Sequence, residues 1–320
     1  MLYVLAALGP FLVDHMTEVF GEPALNRWYS PVLDWIDPKQ LYQRSLFGGA
    51  HGITPDFVSV VLIKPDKEPG TVTQQNVCTQ RAFLARLLLQ IAAAHPAVVA
   101  IDKSYGCTAC TANDPGTVDL KKAIGEVSAQ VPVVIGLSTE DPSAVAGADP
   151  NLAERLRAKG LEANDQILLP SLDLGGQAVA QRVRYGLIRV DKDIRRVPLG
   201  WYTYGSRAAL EPTLTTPAAP FACLHVNSGH KTMMDTLSVA AARAFNPKRL
   251  NRSLEMLQAN MVHPYFSFFR EDDLRRLSVS SAIEALCGRS AGADTEWKAC
   301  EAPLDSEFAD EFRNRVVFVG

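Results

Sequence analysis

The chain has 320 residues, 47% hydrophobic and 21% charged, with 32 Lys and Arg against 35 Asp and Glu and a net charge of −3. That balance excludes a disordered tail, which combines few apolar residues with a strong net charge, and it argues against nucleic acid, whose binders carry a basic excess. The length allows one large domain or two ordinary ones, and six cysteines are too few for a disulfide scaffold of this size.

A membrane span needs roughly twenty apolar residues, and no stretch reaches that. Met1 to Val13 comes nearest and is ended by Asp14 and His15. A secretory signal needs an early basic residue, and the first here is Arg27. Residues 1–26 are therefore an apolar segment with three origins open: the remnant of a membrane helix, an uncleaved anchor, or an ordinary buried helix.

Phe57 to Ile63 is β-branched and apolar enough for a buried strand. Lys64 to Gln75, with Pro65, Pro69 and Gly70, predicts a loop. Thr79 is the expected N-cap of a helix whose Phe83, Leu84, Leu87, Leu88 and Ile91 line one face. Pro96 ends it. Ala97 to Ile101 follows as a strand and runs into Asp102. Asn113 to Gly116 predicts a turn, Leu120, Ile124 and Val127 a short helix, and Val131 to Ile135 a third strand.

This alternation predicts an α/β fold in three layers, a mostly parallel sheet with helices on both faces. Residues 140–165 read as a loop around one short helix. Val183 to Val190 and Val197 to Tyr204 flank a polar turn and predict an antiparallel hairpin. Residues 205–230, with Pro212, Pro217 and Pro220, form the best insertion or linker. Met233 to Phe245 and Leu277 to Leu286 predict helices, and Val316 to Val319 a last strand. A domain seldom stops on such a strand, so residues 27–320 are expected to be one α/β domain cut from a longer chain.

Several side chains are candidates for a site. Asp102 leaves the carboxyl end of the second strand, where open parallel sheets bind ligands; it equally suits loop capping. Asp119, early in the next helix, could share that crevice, although acids also suit a first helical turn. Arg81 could pair with Asp102 across the sheet's edge or lie in solvent. Asp191, Asp193 and Arg196 sit in the hairpin turn, where Asp residues are favoured in any case.

Cys107-Thr108-Ala109-Cys110 has thioredoxin-like spacing. The Pro115-Gly116 pair that follows argues against a helix there and so against redox chemistry. Zinc would need two more suitably spaced ligands, which the sequence does not offer. Cys287 and Cys300 flank a polar loop, a natural span for a disulfide. Cys107 could bridge Cys110, or each could pair elsewhere, with Cys78 for example. Disulfides would put the domain outside the cytoplasm. There is no phosphate-binding Gly-rich loop, G-x-S-x-G elbow or H-E-x-x-H helix, and no cofactor is expected.

The order of segments resembles the second type of CHASE domain, a sensory module of bacterial signalling receptors. The matching pieces are Arg81-Ala82-Phe83-Leu84-Ala85, then Val98-Val99-Ala100-Ile101-Asp102, then Asp119-Leu120-Lys121-Lys122 and Val131-Pro132-Val133-Val134-Ile135. Tyr185-Gly186 then runs to Asp191-Lys192-Asp193 and Arg196-Val197-Pro198, followed by Leu277-Ser278-Val279-Ser280-Ser281 and Arg315 to Gly320. The family's acidic pair after the first strand appears only as Asp66, Gln75 to Gln80 replaces its Trp-Pro-Trp stretch, and Ile194 stands where a glycine is expected.

The resemblance implies a non-catalytic, extracytoplasmic domain tethered to the cell membrane. It would sense an unknown small molecule or envelope stimulus, as a homodimer, and drive a cyclase or kinase outside this chain. Arg81, Asp102, Asp119, Asp191, Asp193 and Arg196 are the candidate pocket. Two alternatives stand beside it: a soluble α/β enzyme with its site around Asp102, Asp119 and Arg81, and a protein-binding module working through residues 205–230.

Overall fold

The computed structural model describes residues 57–63, 77–103, 105, 110, 113–148, 150–158, 160–162, 165–169, 171, 172, 174, 177–188, 200–205, 230–248, 278–288, 297–300 and 309–320. In chain order the elements are β1 (Val58–Leu62), α1 (Val77–Ala93), β2 (Val98–Ile101), α2 (Pro115–Ser128), β3 (Val133–Leu137), β4 (Thr139–Glu140), α3 (Pro142–Ala148), α4 (Pro150–Ala158) and β5 (Gln166–Leu168). They continue with α5 (Gln177–Arg182), β6 (Val183–Leu187), β7 (Gly200–Gly205), β8 (His230–Asp235), α6 (Leu237–Phe245), β9 (Ser278–Ser281), α7 (Ala282–Cys287), a 3₁₀ turn (Trp297–Ala299) and β10 (Val316–Val319).

Six strands pair in the order β6-β3-β2-β10-β1-β9, every neighbour parallel. The last strand thus enters between the first two. β2 and β3 are buried along their whole length, as strands covered on both faces must be. Side chains alternate between those faces. Val99, Ile101, Val133, Ile135, Val317 and Val319 pack with the Leu84, Leu87, Leu88 and Ile91 stripe of α1 and with Leu120 and Ile124 of α2. On the other face Val98, Ala100, Val134 and Val316 meet Leu237, Ala240 and Ala241 of α6. A Cβ on Gly186 of β6 would lie 2.6 Å from the Leu237 Cα, so this glycine sets how closely α6 approaches the sheet. The three-layer α/β architecture with helices on both faces is therefore as the sequence predicts.

The second sheet has four strands in the order β4-β5-β7-β8. β4 pairs β5 and β7 pairs β8 antiparallel, while β5 and β7 are parallel. Here lies the first correction. The expected hairpin does not form between Val183–Val190 and Val197–Tyr204: β6 joins β3 in the parallel sheet, and β7 joins β8 and β5 in the other. β6 buries Val183, Gly186 and Leu187, which suits a strand covered on both faces better than a half-exposed hairpin. The antiparallel partner of β7 is β8.

Five further regions differ from expectation. Thr79 lies inside α1, which has begun by Val77, and so does not cap it. α2 starts at Pro115 with Asp114 as its N-cap, the Asp114 side chain accepting from the Gly116 N–H at 3.0 Å. Proline suits a first helical position because that N–H has no helical acceptor anyway, so Pro115-Gly116 opens a helix rather than forbidding one. Met233 and Met234 belong to β8, where Met233 opposes Tyr202 and Met234 opposes Trp201. Leu277 to Leu286 is not one helix: Ser278–Ser281 is β9, and Ser281 caps α7 through a reciprocal bond with Glu284. Residues 140–165 carry two short helices, not one. The proposed insertion at 205–230 lies almost wholly outside the described residues.

Candidate functional site

The carboxyl ends of the parallel strands form one edge. There the Asp102 N–H donates to the Val319 carbonyl at 2.7 Å, the Ile63 N–H to the Gly320 carbonyl at 2.7 Å, and the Gly320 N–H to the Val61 carbonyl at 3.0 Å. These bonds carry the parallel pairing one step past the strand ends. Gly320 leaves room for Asp102: a Cβ on it would lie 2.8 Å from the Asp102 Cβ. Asp102 is exposed. Partial desolvation of its carboxyl still raises its pKa above 3.8, and the neighbouring Lys103 charge opposes that rise.

Arg81 is not in solvent. It is 3% exposed. Its guanidinium donates to Thr117 Oγ1 at 2.6 Å and to the Tyr105 carbonyl at 3.2 Å. It also sits 5.8 Å from the Tyr105 ring centroid, a cation–π distance. The group therefore fastens α1 to α2 and to the segment that follows β2. Burial pushes the Tyr105 phenol pKa well above its ordinary value of 10.0, with the Arg81 charge acting in the opposite sense.

Asp119 is exposed on α2. It borders a groove of about 270 Å³ between α1 and α2 whose lining includes Ala82, Arg86, Lys122, Glu126 and Trp297. Of the three described candidates, Asp102 and Asp119 are thus exposed, at a strand end and on α2, while Arg81 is buried. Asp191, Asp193 and Arg196 lie outside the described residues.

The sequence reading missed Arg86. It donates to the carbonyls of Trp297 at 3.2 Å, Lys298 at 2.9 Å and Cys300 at 2.5 Å. It also stands 5.7 Å from the centre of the Trp297 ring. One cation therefore satisfies three carbonyls of a short turn, which its planar fork of donors makes possible. Its signal was present in the sequence as an arginine inside an otherwise apolar run. The Thr117 and Tyr105 roles left no such signal.

The cysteines act on the same region. Cys287 bridges Cys300, the expected span. Cys110 bridges Cys78 rather than Cys107, and Cys107 lies outside the described residues. The first turn of α1 is thereby tied to the segment before α2. Gly116 lies against that tie: a Cβ there would fall 2.1 Å from the Cys78 carbonyl oxygen. Among the described residues no group of three or more His, Cys, Asp or Glu gathers as a metal site, and no helix is long and apolar enough to cross a membrane. No protein-family model, curated protein or solved structure matches the chain.

Proposed function

We propose that this chain is the extracytoplasmic, stimulus-sensing domain of a membrane-bound signalling receptor of the second CHASE type, without catalysis of its own. The observation that carries the reading is the pair of disulfides, Cys78–Cys110 and Cys287–Cys300. Structural disulfides form and persist in oxidising compartments and are rare in the cytoplasm. The parallel α/β fold and the order of its segments agree with the resemblance.

The enzyme reading has less support. It needs Asp102, Asp119 and Arg81 around one substrate, whereas Arg81 is buried against Thr117 and Tyr105. In the sensory reading Asp102 and the strand ends are the part of the described fold best placed to meet a small stimulus molecule. Binding there would act by favouring one of two states of the domain.

Reporter fusions made in the native gene test the reading. Alkaline phosphatase joined after Gly320 is expected to be active, and green fluorescent protein at the same point dark, because that point lies outside the cytoplasm. Fluorescence with inactive phosphatase overturns the proposal. Retention of four free thiols at Cys78, Cys110, Cys287 and Cys300 in protein alkylated before lysis does so as well.

A further inference from the structure

β9 is an edge of the parallel sheet: it pairs β1 and, among the described residues, no other strand. A strand edge is a template for a further strand, and folded proteins commonly guard it with charge. The other three described edges follow that rule. Arg184 lies in β6, Glu140 in β4, and Lys231 and Asp235 in β8. β9 is Ser278-Val279-Ser280-Ser281 and carries no charged side chain.

Two of its side chains are also left without company. Ser278 and Ser280 stand beside Ser59 and Val61, on the face that α1 and α7 cover. Val279 stands beside Val60 on the opposite face and is 53% exposed. Ser280 is only 6% exposed, yet its Oγ has no hydrogen-bond partner. Nearly all buried hydroxyls have one, so this group points to an acceptor that the single chain does not supply. Ser278 Oγ donates to Glu311 Oε2 at 2.9 Å, and its oxygen can still accept.

We propose that a second copy of this chain completes the edge, β9 pairing antiparallel with its own equivalent about a two-fold axis through Val279. A contact of this kind sets a surface against itself. Like charges placed opposite one another are destabilising, so an uncharged strand is the one suited to it. Directly opposed side chains share a face of the sheet. Val279 therefore meets Val279 of the partner subunit, and Ser280 meets Ser278 of the partner subunit. The Ser280 hydroxyl donates to that serine's oxygen, and the symmetry repeats the bond. The two parallel sheets then run on as one. This inference rests on the edge itself and does not depend on the sensory reading.

Sedimentation velocity of the full, disulfide-intact chain over roughly 1–300 µM, the range of modest contacts, tests it. The parent is expected to dimerise. Val279→Lys and Val279→Asp each set like charges face to face, so each is expected to raise the dissociation constant about tenfold or more. An equimolar mixture of the two variants pairs opposite charges and is expected to bind about tenfold more tightly than either variant by itself. That recovery occurs only if position 279 faces itself. A parent chain that stays monomeric overturns the proposal, since the edge is then left to another strand or to solvent. So do folded variants that dimerise like the parent, or a mixture no tighter than its components. Should a charged variant fail to fold, Val279→Cys replaces it. On mild oxidation its thiol is expected to link two copies about tenfold faster than that of Val118→Cys, because pairing raises its effective concentration. Val118 is 48% exposed on α2, and equal rates at the two positions overturn the proposal.

Discussion

The parallel sheet and the four-stranded sheet are held by different means. Around α1 the ties are covalent and charged: Cys78–Cys110, Cys287–Cys300, Arg81 on Thr117 and Tyr105, and Arg86 on three carbonyls of the 297–300 turn. The four-stranded sheet, among the described residues, has no disulfide. It relies on a five-residue core and on polar links such as Gln166 Nε2 to Asp141 Oδ1 at 3.0 Å and Lys231 bridging Glu162 and Asp165 at 2.9 and 3.1 Å. The Lys231–Glu162 pair is exposed on its acidic side and such pairs contribute little to stability, while Asp165 is buried; cross-links act on the unfolded chain and hold at any ionic strength. The contrast is that of a cross-linked frame and a second sheet tied without covalent links among the described residues.

The sharpest way to break this comparison is to remove the braces. The two disulfides close loops with sequence separations of 32 and 13 residues. Chain-entropy arguments then give losses of about 4 kcal/mol for the Cys78→Ala/Cys110→Ala pair and about 3 kcal/mol for Cys287→Ala/Cys300→Ala. Urea unfolding without reductant measures both. The reverse order would show that native-state packing, not the length of the closed loop, sets their value.

Arg81→Met is next. It keeps much of the apolar stem but strips the donors from Thr117 Oγ1 and the Tyr105 carbonyl, both in the interior. Buried acceptors left unpaired cost about 1–3 kcal/mol each, so we expect a loss of about 3 kcal/mol in the same urea assay. A loss under about 0.5 kcal/mol, the usual range for surface substitutions, would return Arg81 to the solvated role that the sequence also allowed.

Asp102→Asn gives the smallest effect and tests the edge directly. The carboxyl has a folded pKa above its unfolded value of 3.8, so the folded state favours the neutral form. The penalty for ionisation is absent below 3.8, grows as pH rises toward the raised folded pKa, and is complete above it. The amide variant is therefore expected to melt slightly higher than the parent at pH 7, with the gain vanishing as pH falls through that window. A gain independent of pH would point to something other than charge.

Much of the frame was legible in the residues. Phe57 to Ile63, Ala97 to Ile101, Val131 to Ile135 and Val316 to Val319 are short β-branched runs, and each holds a parallel strand; β2 and β3 are uniformly apolar because they are buried on both faces, while β1 buries mainly one face. The α1 stripe was legible for a similar reason: its 3.6-residue period is a property of the chain itself. Elements whose identity depends on partners were not. Met233-Met234 reads as the start of a helix until Tyr202 and Trp201 are set opposite them. Ser278 to Ser281 reads as helical until its pairing with Ser59 to Leu62 makes it an edge strand.

The candidate site divides in the same way. Asp102 was placed correctly because strand ends can be counted along the sequence. Arg81 was not, since its acceptor Thr117 is 36 residues away and Tyr105 gives no sequence signal. Among the cysteines, Cys287–Cys300 could be read from a single polar loop. Cys110 had two open partners, and the choice of Cys78 followed from the packing of α1 against α2.

By itself, then, the sequence determined the class of fold, the main strands, the α1 core face and one disulfide. These follow from local periodicity and short-range chain geometry, which need no knowledge of distant neighbours. Tertiary structure alone decided that β10 enters between β1 and β2, that β6 and β7 part into different sheets, and that Arg81 lies inside. Each of those outcomes depends on which surfaces come together to exclude water and satisfy buried polar groups, a property of the assembled chain and not of any one segment.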